Sequence, residues 1–336
     1  MRFLISLATL CMLISCGSND KAPDVSNIKV ELTTRRFEKD LFSLDTNKLV
    51  TQLDPLIARY PSFGENFIGT ILNTDPRWSA DSIAEYVKSF ITAYRPVYDT
   101  AEKIFSDFSP YENEIKKGLQ YLNHYFPAYK APKKIITYIG PLDGYGDILT
   151  DDAFVVGLHH HLGKTASMYS NPSVQEVYAA YLSNRFEPAY ISVNCMKNIV
   201  LDMFPEKNED AALVVLMVEK GKRLYALNKL LPFKDEYMLI GYTEKQLKDC
   251  YKHEAQIWNL FIQNNFLQTV DNNINKNYIG EGPKTQELGD ESPGNVGSFT
   301  GWQIVKKFMS KKPETSLTEL MKMPAETIFE QAKYKP

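Results

Sequence analysis

Two switches of hydrophobic periodicity constrain this chain more than any other feature. In the segments 47–59, 80–93 and 110–124, apolar residues recur three and four apart, the spacing that builds one face of an α-helix. At Lys133 the pattern changes. Ile135-Ile136-Thr137-Tyr138-Ile139 is short, β-branched and aromatic, and Ala153-Phe154-Val155-Val156-Gly157-Leu158 repeats that character. Two strands are therefore predicted on either side of the turn-forming cluster Asp143-Gly144-Tyr145-Gly146-Asp147. Helical spacing returns at 172 and recurs in 172–183, 187–204, 209–228, 243–267, 299–310 and 316–331. The chain reads as α+β, a helix-rich single domain with a small mid-chain β-sheet or hairpin. Pro61, Pro76, Pro96, Pro110 and Pro127 are predicted to start or stop helices. A Gly-rich polar loop spans 276–298, a length that marks either a site or disorder.

The first residues carry a different signal. Leu4 to Ile14 is an apolar run broken only by Ser6 and Thr9 and preceded by the charge of Arg2. A bilayer-spanning helix needs about 20 apolar residues, so this run is too short to cross and has the form of a signal-peptide core instead. It ends in Leu13-Ile14-Ser15-Cys16-Gly17. That stretch resembles the bacterial lipobox, whose cysteine is acylated once the preceding peptide is removed. The predicted organisation is a signal peptide over 1–15, a lipidated tether over 16–30 attached through Cys16, and a globular domain over 31–336. At roughly 0.8 kcal/mol per buried methylene, two or more acyl chains give stable anchoring. The expected location is the cell envelope, on the inner or outer membrane, with the domain outside the cytoplasm.

Charge narrows the partners. The net charge of −3 with no basic run argues against nucleic acid. Beyond Cys11 and Cys16 only Cys195 and Cys250 remain, a pair able to bridge in an oxidising compartment but too few to define a disulfide framework.

Three stretches invite a catalytic reading. If the second strand runs on through His159-His160-His161, strand alternation puts His159 and His161 on one face, where two imidazoles and a carboxylate such as Asp151, Asp152 or Glu176 would suit a divalent cation. A metal-dependent hydrolase built on His159 and His161 is thus the alternative function, against solvated or hydrogen-bonded histidines. Val218-Glu219-Lys220-Gly221-Lys222 has the spacing of the zinc-peptidase H-E-x-x-H helix, which needs imidazoles at i and i+4 and a glutamate base. Valine offers no ligand atom, and a protonated Lys222 repels the cation. His253-Glu254 fails in the same way, with Ile257 in the second histidine position; it reads as an exposed turn of a helix burying Ile257, Leu260 and Phe261. Nucleophile-elbow, phosphate-loop and dinucleotide motifs are missing from the sequence. No cofactor is expected.

Several stretches in order along the chain resemble the gliding-motility lipoprotein GldB family of Bacteroidetes. They are Arg36-Phe37-Glu38-Lys39-Asp40-Leu41-Phe42, Tyr125-Phe126-Pro127, Gly157-Leu158 with Leu162-Gly163, Glu219-x-Gly221-Lys222-x-Leu224-Tyr225 and Gly241-Tyr242-Thr243. Glu254-x-x-Ile257-Trp258 and Ser292-Pro293-Gly294 follow, and Gly301-Trp302-Gln303-Ile304-Val305 is the most specific. The His159–His161 run departs from that pattern. The resemblance implies a non-catalytic envelope lipoprotein with protein partners in gliding or type IX secretion-associated machinery. Through a distant similarity to predicted zinc peptidases it also implies a degenerate zincin-like fold. A residual groove would then be marked by Val218, Glu219, Lys222 and Trp302, with Gly297 and Gly301 letting backbone approach. Strand addition of a peptide beside residues 135–139 is a further expectation.

Overall fold

A computed structural model describes residues 22–206 and 210–336. The signal peptide and Cys16 lie outside the described residues. Of the tether segment, residues 22–30 are irregular and laid on the body: Val25 is buried and the Ile28 carbonyl accepts from Gln120 at 2.9 Å.

Four strands form one mixed sheet in the order β1-β2-β4-β3: β1 Thr33–Arg36, β2 Lys134–Tyr138, β3 Ile148–Leu149 and β4 Ala153–Gly157. β1 and β4 both run parallel to β2, and β3 is antiparallel to β4. The near-continuous apolar content of β2 and β4 follows from that position, since an interior parallel strand is covered on both faces. It also rules out strand addition at 135–139. Both hydrogen-bonding edges of β2 are already used, one by β1 and one by β4. β1 itself reads Thr-Thr-Arg-Arg, alternately exposed and half-buried, as an edge strand does. Just after it the Glu38 carboxylate is buried and accepts from Arg36 at 2.5 Å and Thr137 at 2.6 Å, pinning the β1 exit onto β2.

Helices occupy most of the rest. Leu49–Arg59, Ala80–Ile104 and Ser109–Tyr125 match the predicted N-terminal set, with Ser79 capping the second through Ser82 N–H. Pro96 does not stop its helix, which runs 25 residues through it. An interior proline costs about 3 kcal/mol. Here Phe90, Ile91, Val97 and Ala101 are buried along one continuous face, and the Arg95 guanidinium donates to the Phe42 carbonyl at 2.9 Å. That packing carries the helix across the break. In the C-terminal half the main helices are Ile191–Met203, Leu213–Leu230, Glu244–Lys252, Glu254–Gln263, Val296–Lys311 and Ala325–Ala332. On the fourth, Ile257 and Phe261 are buried, Leu260 is half-buried and His253 at its start is exposed. Cys195 and Cys250 are free thiols in two of these helices, each buried.

Candidate functional site

The helix Leu213–Leu230 is the axle of the C-terminal half, and its crossing with Val296–Lys311 depends on two glycines. A β-carbon on Gly301 would overlap the Met217 carbonyl, and one on Gly221 would overlap the Gly301 carbonyl group. Backbone lies directly on backbone, which only glycine permits. Gly297 makes a similar approach to another element: its β-carbon would stand 2.8 Å from the Tyr278 carbonyl oxygen. Trp302 is fully buried beside this crossing, with the Lys306 ammonium 4.1 Å from its ring centroid.

The same stretch of the first helix carries the residues in the H-E-x-x-H register. Val218 is fully buried in the core. Lys222 is buried to 3 % exposure, and its ammonium donates to Glu219 Oε1 at 2.8 Å and to the Met323 carbonyl at 2.9 Å. The glutamate that would serve as base is thus one half of an i, i+3 ion pair. A cation occupies the place a metal would need, on a helix whose first ligand position is aliphatic. Glu219 and Lys222 open onto a cleft of about 680 Å³ also lined by Arg223, Asn275, Lys276 and Met323. Of the six expected groove residues, only these two reach it. Gly297, Gly301 and Trp302 serve helix packing, and Val218 fills the core.

The histidine run takes a different course from the one its sequence suggests. β4 ends at Gly157, and Leu158–His160 forms a 3₁₀ turn, so His159 and His161 do not share a strand face. All three imidazoles are buried. His159 Nδ1 accepts from Gly140 N–H at 3.1 Å and its Nε2–H donates to the Tyr145 carbonyl at 2.9 Å. Burial, then the neighbouring His160, holds this ring well below the usual histidine range, hence neutral. His161 donates from both nitrogens, to the Glu187 carbonyl at 3.1 Å and to Asp147 Oδ2 at 2.9 Å. Burial pulls its pKa down, but Asp147 outweighs that and the net shift is upward. One lone pair is engaged and the other ring has none, so neither is free to bind a metal. Among the described residues no group of three or more His, Cys, Asp or Glu side chains could hold a metal ion.

The buried carboxylate at the centre of this region is Asp147. It accepts from Asn194 at 2.8 Å and from Gly157 N–H at 3.1 Å as well as from His161, while Asn198 donates to its carbonyl. Burial pushes this carboxyl up, and its partners, His161 first, bring it below the ordinary value. The cluster ties the β2–β3 connection, the 3₁₀ turn and the helix Ile191–Met203 together. Sequence reading placed Asp147 only in a turn. Its partners lie 14 and 47 positions away, and no local pattern connects them.

No curated protein and no solved structure matches the chain. A family model described as gliding motility protein GldB matches residues 18–336, nearly the whole sequence. The chain therefore belongs to the GldB gliding-motility family.

Proposed function

We propose that this gliding-motility protein is a lipid-anchored, non-catalytic component of the cell envelope that holds protein partners of the gliding or secretion-associated machinery. The observation that carries the non-catalytic part is the Lys222–Glu219 pair at 2.8 Å beside a core valine. It fills with a lysine ammonium the register where a zinc peptidase helix keeps its ligands and its base. The likeness of this helix to a peptidase helix is then ancestry without the chemistry. Anchoring is supported by the apolar run ending at Cys16. Replacement of Cys16 by serine tests it. Labelled fatty acid incorporation is expected to vanish, and the protein to leave the membrane fraction. Retention of label or full membrane association by Cys16→Ser would overturn the anchor. For the chemistry, untagged protein is expected to contain no stoichiometric zinc and to leave unfolded peptide substrates intact. Chelator-sensitive hydrolysis that survives purification to homogeneity would sink the non-catalytic reading.

A further inference from the structure

Beside the large cleft, and sharing Glu206, Lys220 and Arg223 with it, lies a smaller cavity of about 160 Å³. Its charged groups are unevenly matched. Glu206 is paired with Lys220 at 3.0 Å and Glu281 with Arg185 at 3.1 Å. Arg223 donates through its guanidinium to the carbonyls of Phe204, Pro205 and Glu219 at 2.7–2.9 Å, with the carboxylates of Glu206 and Glu219 opposing its charge. Lys197, from the helix Ile191–Met203, makes no hydrogen bond or ion pair with any described residue. Its surface is open to solvent, yet the surrounding protein desolvates it enough to lower its pKa, with Arg185 and Lys220 adding to the effect against Glu281 and Glu206. Open to water but ringed by protein is the situation of a group inside a concave site, not of a lysine on a convex surface. The aliphatic part of the lining is formed by Val200, Leu224, Leu227, Leu239 and Ile240.

The geometry points to a binding site for an aliphatic carboxylate, with its anionic end on Lys197 and its branched apolar end among Leu224, Leu239 and Ile240. An anion gives this ammonium the hydrogen-bonded partner it lacks among the described residues, and a charge-assisted hydrogen bond is roughly twice as strong as a neutral one. Size suits a short apolar part: a cavity of about 150 Å³ holds a benzene-sized group, so one branched side chain fills it. Two sources carry this chemistry, a free short branched acid and the C-terminal residue of a partner polypeptide. The inference rests on the partner-binding reading and gives that partner a recognisable end.

The test uses the full-length lipidated chain in detergent, titrated with N-acetyl-leucine, N-acetyl-leucinamide and N-acetyl-glycine. The acid is expected to bind, and the amide and the glycine derivative at least about tenfold more weakly, because each lacks one of the two recognised features. Lys197→Met is expected to lose the acid by a similar factor while its unfolding midpoint holds or rises, an unpaired cation having been removed. Equal binding of acid and amide by the parent chain would overturn the site, whatever the variant does. So would unchanged acid binding by Lys197→Met. Isovalerate and an acetylated tripeptide ending in leucine separate the sources: tighter binding of the tripeptide identifies a polypeptide terminus, and equal or tighter binding of isovalerate a free acid. A negative result here leaves the anchoring and hydrolysis tests untouched, so the two readings fail separately.

Discussion

Gly301→Ala is expected to lower the stability of the chain by about 3 kcal/mol, a large loss for one methyl group. The added carbon would overlap the Met217 carbonyl, which is backbone and has no rotamer to move into. The helices Leu213–Leu230 and Val296–Lys311 must then separate along their length. Separation loosens Met217, Val218, Phe299, Trp302 and Val305, all fully buried, and each loses dispersion contacts that a narrow gap does not restore. Gly69→Ala is the control, because a β-carbon there meets nothing within 4 Å. Denaturant unfolding of the two variants decides the matter. A Gly301→Ala chain within 0.5 kcal/mol (about the usual scatter of surface changes) of the parent would mean that these helices do not meet backbone to backbone.

The Gly301 contact shows which part of this structure a sequence can disclose. Gly301-Trp302-Gln303-Ile304-Val305 stands out as a motif, but the reason for its glycine is an atom 84 positions earlier, at Met217. The interior strands β2 and β4 were legible because burial on both faces leaves an apolar, β-branched run. β1 was not, since Thr33-Thr34-Arg35-Arg36 is an edge strand whose partner lies about a hundred residues away. Pro96 was read by its intrinsic cost and outvoted by the packing of Phe90, Ile91, Val97 and Ala101. That Val218 brings no ligand atom to the H-E-x-x-H spacing is legible from the sequence alone, because a side chain's donor atoms are a local fact. The Glu219–Lys222 pair is local too, one helical turn apart. Lys197 was beyond reach: its significance comes from lacking a partner, and partners are known only once the chain is folded.

Asp147→Asn is expected to cost about 3 kcal/mol at pH 5, the low end of what breaking a buried ion pair costs. The substitution keeps the shape of the side chain and one acceptor oxygen for Gly157 N–H, but it turns an NH2 toward Asn194 and His161, so charge and one acceptor are lost together and the pH dependence separates the two. With a carboxylate 5 % exposed and an imidazole 1 % exposed at 2.9 Å, removing one charge strands the other away from water. The pH dependence follows from the two shifts. His161 is held above 6.5, so its contribution is complete below that pH and is lost as pH rises through the folded-state value. Asp147 is held below 3.8, so its contribution is complete above that pH and is lost as pH falls through its own folded-state value. The pair therefore stabilises the chain most between these limits. In the Asn variant burial acts on His161 against the Glu187 carbonyl alone, the ring enters the folded state neutral, and acid conditions favour the unfolded chain in which it is protonated. The loss relative to the parent is accordingly larger at pH 5 than at pH 8.5, as urea titrations at the two values would read it. Equal losses at both would show that the imidazole is neutral in the parent and that Asp147 acts only as a hydrogen-bond acceptor. A neutral ring that gives one N–H to Asp147 would keep a lone pair at the Glu187 carbonyl. His161 would then hold a lone pair open to a metal.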